Sequence, residues 1–123
     1  MDHDKDVKII NGFVGRLCER TLACNSIKLR FAGKKEYIWI DPPWTLHGLS
    51  GCVADSSEYP GVTPEFEVWC ACLNPLDRVR LTSVEYSKGC LVLGFSNDYQ
   101  LIVPPSLGEV AEDDFYHHWY ASE

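Results

Sequence analysis

Two copies of one short β unit constrain what this chain can fold into. The second copy is the clearer one: an apolar run at residues 91–95, a polar turn at 96–98, and an apolar run at 99–103 that ends in Pro104 and Pro105. Short runs rich in β-branched and aromatic residues around an Asn-Asp turn are typical of a β-hairpin. Because proline has no backbone N–H, the two prolines are expected to end the strand pairing.

The first copy lies at residues 27–43 and ends at Pro42 and Pro43. The matched residues are Arg16-Leu17 with Arg80-Leu81, then Ile27, Leu29 and Phe31 with Leu91, Leu93 and Phe95, then Tyr37 and Ile40 with Tyr99 and Ile102. A Trp-x-Ala triplet also recurs, at residues 69–71 and 119–121. Such ordered matches indicate an internal duplication. We therefore predict one domain over residues 1–123, with a first repeat at about 10–72, a second at about 73–123, and Trp69 and Trp119 in equivalent sites.

The spacing of apolar residues predicts an all-β fold. Residues 27–31 alternate with a period of two, which marks a strand with one buried face, and no segment keeps a helical apolar stripe. Residues 65–72 also alternate and are interpreted as a strand, whereas residues 43–64 are interpreted as a long surface loop with at most one short strand. About eight or nine closely spaced strands, with one or two short helices, predict a small antiparallel β-sandwich or a partly closed barrel.

The length and the first residues favour one compact cytoplasmic domain. A chain of 123 residues can bury a core without cross-links. No apolar run approaches the roughly 20 residues that a membrane span needs, and the acidic start at residues 1–6 does not resemble a secretory signal. The cytoplasm is reducing, so the six cysteines are expected to be free thiols.

The net charge of −7 is unevenly distributed along the chain. Residues 36–77 hold seven acids and no base, and residues 89–123 hold six acids and no base. Residues 1–35, by contrast, hold eight bases and four acids. The acids therefore collect after each hairpin. Such a chain repels phosphate, so direct binding to nucleic acid is not expected, and a basic protein is the natural partner.

The sequence offers little support for catalysis or metal binding. It contains no glycine-rich phosphate loop and no GxSxG elbow. The best metal candidate combines Cys70 and Cys72 with Cys52 and with His117 or His118, but it lacks the paired CxxC spacing of usual zinc sites. Small buried thiols explain these cysteines more simply, and nothing local supports a Cys–His nucleophile. We predict no enzyme activity, no cofactor and no metal site.

The second half of the chain resembles a known group of proteins. The resemblance lies in the runs Leu76-Asp77-Arg78-Val79, Gly89-Cys90-Leu91-Val92-Leu93-Gly94-Phe95-Ser96 and Tyr99-Gln100-Leu101-Ile102-Val103-Pro104, and in the closing Tyr116-His117-His118-Trp119. These runs are similar to those of small immunity domains encoded in bacterial polymorphic-toxin and contact-dependent inhibition loci. The resemblance implies a cytosolic protein that neutralises one cognate toxin by binding it tightly.

We hypothesise that the acids after the two hairpins form the toxin-facing surface. Toxins that act on nucleic acid have basic active-site clefts, and an acidic protein that fills such a cleft gains both association rate and specificity from charge. The hypothetical partner-binding residues are Asp55, Glu58, Glu65, Glu67, Glu109, Glu112, Asp113, Asp114 and Tyr116.

Two other classes of function remain open at this point. One is a small-ligand barrel with Tyr37, Trp39 and Trp44 at its mouth, which an apolar cavity would favour. The other is a homo-oligomeric scaffolding subunit that pairs edge strands with a copy of itself. The toxin-binding hypothesis instead expects a monomer or a weak homodimer.

Overall fold

The computed structural model describes residues 4–61, 65–104 and 119–122, and these residues form a mostly antiparallel β structure. The helices are α1 (Asp4–Asn11) and α2 (Glu65–Ala71), with the short 3-10 helices η1 (Ser56–Glu58) and η2 (Asn74–Leu76). The strands are β1 (Leu17–Ala23), β2 (Ser26–Phe31), β3 (Tyr37–Ile40), β4 (Thr45–Gly48), β5 (Gly51–Asp55), β6 (Val79–Ser87), β7 (Cys90–Phe95), β8 (Gln100–Val103) and β9 (Trp119–Ser122). The predicted all-β fold class is confirmed. Within the described ranges, neither helix has the length and apolarity that crossing a bilayer requires.

The nine strands form one sheet in the order β5-β4-β8-β7-β6-β1-β2-β3-β9. The sheet contains two three-stranded meanders, β1-β2-β3 and β6-β7-β8. They are joined at the centre by the pairing of β1 with β6. Each meander is extended by a strand from the other half of the chain, because β4 pairs with β8 and β9 pairs with β3. The sheet does not close into a barrel, so the architecture is sandwich-like.

The two meanders meet at a short seam between β1 and β6. Leu17 pairs with Arg80 and Cys18 with Val79. Arg78 N also donates to Cys18 O at 2.7 Å. Since β1 and β6 are antiparallel and overlap only at their first residues, the two meanders leave the seam in opposite directions. The two meanders can therefore pack face to face over one core.

The two meanders also contact one another away from the seam. Trp44 Nε1, at the start of β4, donates to Asn25 O in the β1–β2 turn at 2.8 Å. The ring of Tyr86 in β6 lies 5.7 Å from that of Trp119 in β9. These contacts lie over one buried apolar cluster, and Ile27 and Leu29 on the predicted inner face of β2 are 0% exposed there.

The strand register corrects the alignment of the two copies by one residue. Ile27 pairs with Ile40, and Leu91 pairs with Val103. Ile40 therefore corresponds to Val103 and not to Ile102. The reason is the core: Ile40 and Val103 are both 0% exposed, and a slip of one residue would turn a strand's buried side chains outward.

Trp69 and Trp119 do not occupy equivalent sites, because Trp69 lies in α2 and Trp119 begins β9. The positional counterpart of Trp119 is Trp44. Extending the β4–β8 register by one residue sets Trp44 beside Val103, just as Trp119 lies beside Ile40. Trp44 and Trp119 are 0% and 1% exposed. The duplication itself stays a prediction, and it now has a defined register.

The strand predicted at residues 65–72 is wrong, because residues 65–71 form α2. Phe66, Trp69 and Leu73 follow one another at helical spacing, and Trp69 and Leu73 are buried. Val68, predicted to share a strand face with Phe66, is 74% exposed. A helix is favoured over a strand here because it directs the large aromatic side chains of Phe66 and Trp69 to one side.

The long loop predicted at residues 43–64 is also wrong in part. It contains the hairpin β4–β5, in which Thr45 pairs with Asp55 and Gly48 with Gly51. Gly51 has a φ of 122°, a conformation that glycine adopts without a steric penalty. The glycines that resemble a loop in the sequence close this turn.

Replacement of Trp44 by alanine is expected to lower the free energy of unfolding by about 3–5 kcal/mol, because it empties a large buried site and removes the bond to Asn25. Urea denaturation followed by circular dichroism measures the loss. The matched control is Trp39→Ala, since Trp39 in β3 is only half-buried and should lose much less. Equal losses at the two positions would contradict this account of the core.

Candidate functional site

A surface groove of about 490 Å³ lies between β5, η1 and α2. We call it the acidic groove, and its lining residues are Val53, Glu58, Pro60, Glu65, Val68, Trp69 and Cys72. Two of these residues are exposed valines: Val53 is 37% and Val68 is 74% exposed. The groove therefore combines apolar surface with two carboxylates.

The 3-10 helix η1 fixes the position of Glu58. Asp55 Oδ1 accepts hydrogen bonds from Ser57 N at 2.9 Å and from Ser57 Oγ at 2.8 Å, so Asp55 caps the helix. Ser56 Oγ is buried and accepts from Trp44 N at 3.0 Å. The carboxylate of Asp55 is thus used inside the fold, while Glu58 is exposed in the groove.

An aromatic cluster anchors α2 and with it Glu65 and Val68. The ring of Trp69 lies 5.8 Å from Trp44, 5.4 Å from Tyr59 and 6.2 Å from Phe66. Trp69 Nε1 also donates to Asp55 O at 3.3 Å, which joins α2 to the end of β5. Aromatic pairs at these separations add stability beyond their buried area. The helix that forms one wall of the groove is therefore held firmly.

The predicted partner-binding residues divide into three groups. Glu58 and Glu65 line the groove together, and Asp55 caps η1 beside it. Glu67 is exposed on α2 but does not line the groove. Glu65 and Glu67 are two positions apart, so on an α-helix their side chains point in directions that differ by roughly 200°. The others, Glu109, Glu112, Asp113, Asp114 and Tyr116, lie outside the described residues, as do His117 and His118.

Sequence reasoning missed the apolar part of the groove. A strand at residues 65–72 would place Val68 on the same face as Phe66, and a loop at residues 43–64 gives Val53 no defined role. A helical interpretation of residues 65–71 would have placed Val68 away from Phe66 and Trp69, and so on the surface. The signal was present in the spacing, but it competed with an equally regular alternation.

The proposed mouth of a small-ligand barrel is not formed. The sheet does not close, and Trp44 is 0% exposed. Trp39 is half-buried in β3, where its Nε1 donates to Asp41 Oδ1 at 2.7 Å. Both tryptophans have structural partners, since Trp44 Nε1 also donates to Asn25 O.

The cysteines lie in separate surroundings. Cys70 and Cys72 are at the C-terminal end of α2 and not on one face of a strand: Cys70 Sγ accepts from Arg20 Nη1 at 3.1 Å, and Cys72 Sγ donates to Val68 O at 3.6 Å. All six cysteines are free thiols. Across the described ranges, no three Cys, His, Asp or Glu side chains form a group that could hold a metal ion.

Arg20 connects β1 to the segment between the two halves of the chain, which comprises η2 and Asp77. Its Nη2 donates to Asp77 Oδ2 at 2.9 Å and to Asn74 Oδ1 at 3.0 Å, and its backbone N donates to Asp77 Oδ1 at 3.0 Å. Burial lowers the pKa of the guanidinium, but the bonds to Cys70 and Asp77 outweigh that effect and raise the pKa above its ordinary value. Arg20 therefore stays charged and holds this segment in place.

Comparison of the chain with protein-family models, with curated proteins and with solved structures finds no match. The resemblance to toxin-immunity domains stays a prediction that rests on the sequence runs of the second half.

Burial raises the pKa of the Cys18 thiol to about 12 from its ordinary 9.0, and the carboxylates of Asp77 and Glu19 add to the shift. The unfolded chain loses this proton near pH 9.0, whereas the folded chain keeps it. We therefore expect the free energy of unfolding to fall between pH 9 and 12, by up to roughly 4 kcal/mol from this group. Urea denaturation at stepped pH values measures the fall.

The control for this titration is a pair of variants. Cys18→Ala should lose its share of the pH dependence in that window, whereas Cys24→Ala, at an exposed thiol, should retain it. Identical pH profiles for the two variants would show that Cys18 is not the group responsible.

Proposed function

We propose that this chain is an immunity protein, which binds and neutralises a cognate toxin with a basic surface, and that the acidic groove forms part of the binding surface. The observation that carries the proposal is the placement of Val53 and Val68 in one groove with Glu58 and Glu65. An apolar centre with a polar rim is the usual anatomy of a protein interface. Such a groove fits a segment with both apolar and basic side chains.

The edge strand β5 supports the same proposal. β5 lies at one end of the sheet and pairs with β4. Among the described strands, none pairs with its other side. An open edge can accept an extended segment of a partner by backbone hydrogen bonding. Leu49, in the turn between β4 and β5, is 86% exposed and adds apolar surface beside that edge.

Charge supports a basic partner. The groove belongs to residues 36–77, which hold seven acids and no base. A surface of one sign speeds association with a partner of the opposite sign and disfavours partners of the same sign. A nuclease toxin with a basic active-site cleft would have the matching surface, and the chain would meet it in the cytosol. Self-pairing through β5 would instead bring two acidic grooves together, so a homodimer at this edge is disfavoured.

The test uses the C-terminal domain encoded by the gene immediately upstream of this one. Expression of that domain alone should stop bacterial growth, and co-expression of the full chain should restore it. A non-toxic domain, or one that the purified chain does not bind, would overturn the immunity function. Light scattering that shows a stable homodimer and no complex would favour the scaffolding alternative instead.

A second step tests the groove with charge-matched variants. The double variant Glu58→Lys with Val68→Lys should bind the toxin domain at least tenfold more weakly, mainly through slower association that declines further in salt. Glu85→Lys with Ser87→Lys makes the same charge change at two exposed positions of β6 and should bind as the wild type does. If the groove variant protects cells at the wild-type dose, the toxin binds elsewhere.

Reversal of Asp113 and Asp114 tests the second acidic segment. We expect slower association and earlier loss of protection in salt, because two attracting charges become repelling ones. Surface plasmon resonance at two salt concentrations measures the association rate. Unchanged rates would remove these residues from the binding surface.

A further inference from the structure

A second cleft, opposite in charge to the acidic groove, lies at the seam between β1 and β6. Its volume is about 390 Å³, and Arg30, Lys34 and Arg78 line it with a single acid, Glu19. Its apolar lining includes Leu17, which is 39% exposed. We call it the basic cleft.

Two more arginines extend the positive charge of the basic cleft. An adjoining cleft, which shares Leu17 with the first, is lined by Arg16 and Arg80. The chain has 11 basic residues in total and a net charge of −7, yet five of the basic residues border these two clefts. Strand pairing at the seam brings them together from distant parts of the sequence.

Hydrogen bonds hold Arg16 and Arg80 in place without neutralising them. Arg16 Nη1 donates to Ala32 O at 2.8 Å, and Arg80 Nη1 donates to Gly15 O at 2.7 Å. Both acceptors are uncharged backbone carbonyls. Gly33, with a φ of 79°, leaves room for the Arg16 guanidinium, since a Cβ there would lie 2.6 Å from Arg16 Nη1. The guanidinium is therefore pre-positioned with its charge intact.

Among the described residues, Arg30, Lys34 and Arg78 form no ion pair, although Glu19 lies opposite Arg30 in the β1–β2 register. The ion pair between Arg20 and Asp77 does not involve Arg30, Lys34 or Arg78. Arg30 lies over the ring of Tyr37, 6.0 Å from its centre, which orients it without reducing its charge. The basic cleft is lined by three cations and one acid, so its net charge is positive and attracts an anion.

We propose that the basic cleft binds a small molecule that carries phosphate groups and an apolar part. Guanidinium groups donate paired hydrogen bonds to phosphate oxygens, and an ammonium group adds a point charge. The volume falls within the roughly 300–1,000 Å³ of typical small-ligand pockets. Leu17, which is 39% exposed, provides the apolar contact. This proposal does not depend on toxin binding, since the acidic groove shares no lining residue with the cleft.

The test is isothermal titration calorimetry of the full chain with three probes: ATP, inorganic pyrophosphate and adenosine. ATP should bind, pyrophosphate should bind at least threefold more weakly, and adenosine should not bind detectably. The affinity for ATP should fall at least tenfold between 50 mM and 500 mM salt, since the contacts are ionic. Absence of ATP binding, or binding of adenosine as tight as that of ATP, would overturn the proposal.

Matched variants locate the site. Arg30→Gln with Arg78→Gln should weaken ATP binding at least tenfold, whereas Lys5→Gln with Lys8→Gln, which removes two charges from α1, should stay within twofold of the wild type. Circular dichroism and the unfolding temperature should show that both variants are folded. Equal weakening by the two pairs would mean that only overall charge matters. A short oligonucleotide that binds more tightly than ATP would overturn the small-ligand assignment in favour of nucleic acid.

Discussion

The pairing of β1 with β6 is the constraint on which the rest of the structure depends. It joins the two meanders through a few backbone hydrogen bonds near Leu17 and Arg80. Arg20 reinforces it from the side by tying β1 to Asp77, just before β6 begins. Because the seam is short, the meanders can turn over one another and bury Trp44 and Trp119. The same crossing concentrates the arginines of the basic cleft.

The sequence predicted secondary structure well where the apolar residues followed a single spacing, either that of a strand or that of a helix. Residues 27–31 and 91–95 alternate cleanly and lie between turn signals, so their strands were predictable from local chemistry. Residues 65–71 satisfy both periods, because Phe66 and Val68 suit a strand while Phe66 and Trp69 suit a helix. Contact of Trp69 with Trp44 and Tyr59 decides between them, and that contact is tertiary. The exchange of β4 and β9 between the halves is likewise a long-range property.

The same limit applies to the two clefts. That Glu58 and Glu65 share a surface was predictable from their common acidic segment, and the groove brings them together. The basic cleft was not predictable, because Arg30 and Arg78 are far apart in the sequence and reach one cleft only through strand pairing. The described part of the chain therefore has two clefts of opposite charge. The two clefts share no lining residue, so the two proposed ligands would not compete for the same side chains.

The exchange of β4 and β9 interlocks the two parts of the chain. A break in the joint near residues 72–78 would leave two pieces, each missing the strand that completes its meander. The pieces could recognise one another through three backbone pairings: β1 with β6, β4 with β8, and β3 with β9. Neither piece contains every strand of its own part of the sheet, so each piece would depend on the other for a complete set of strand pairings.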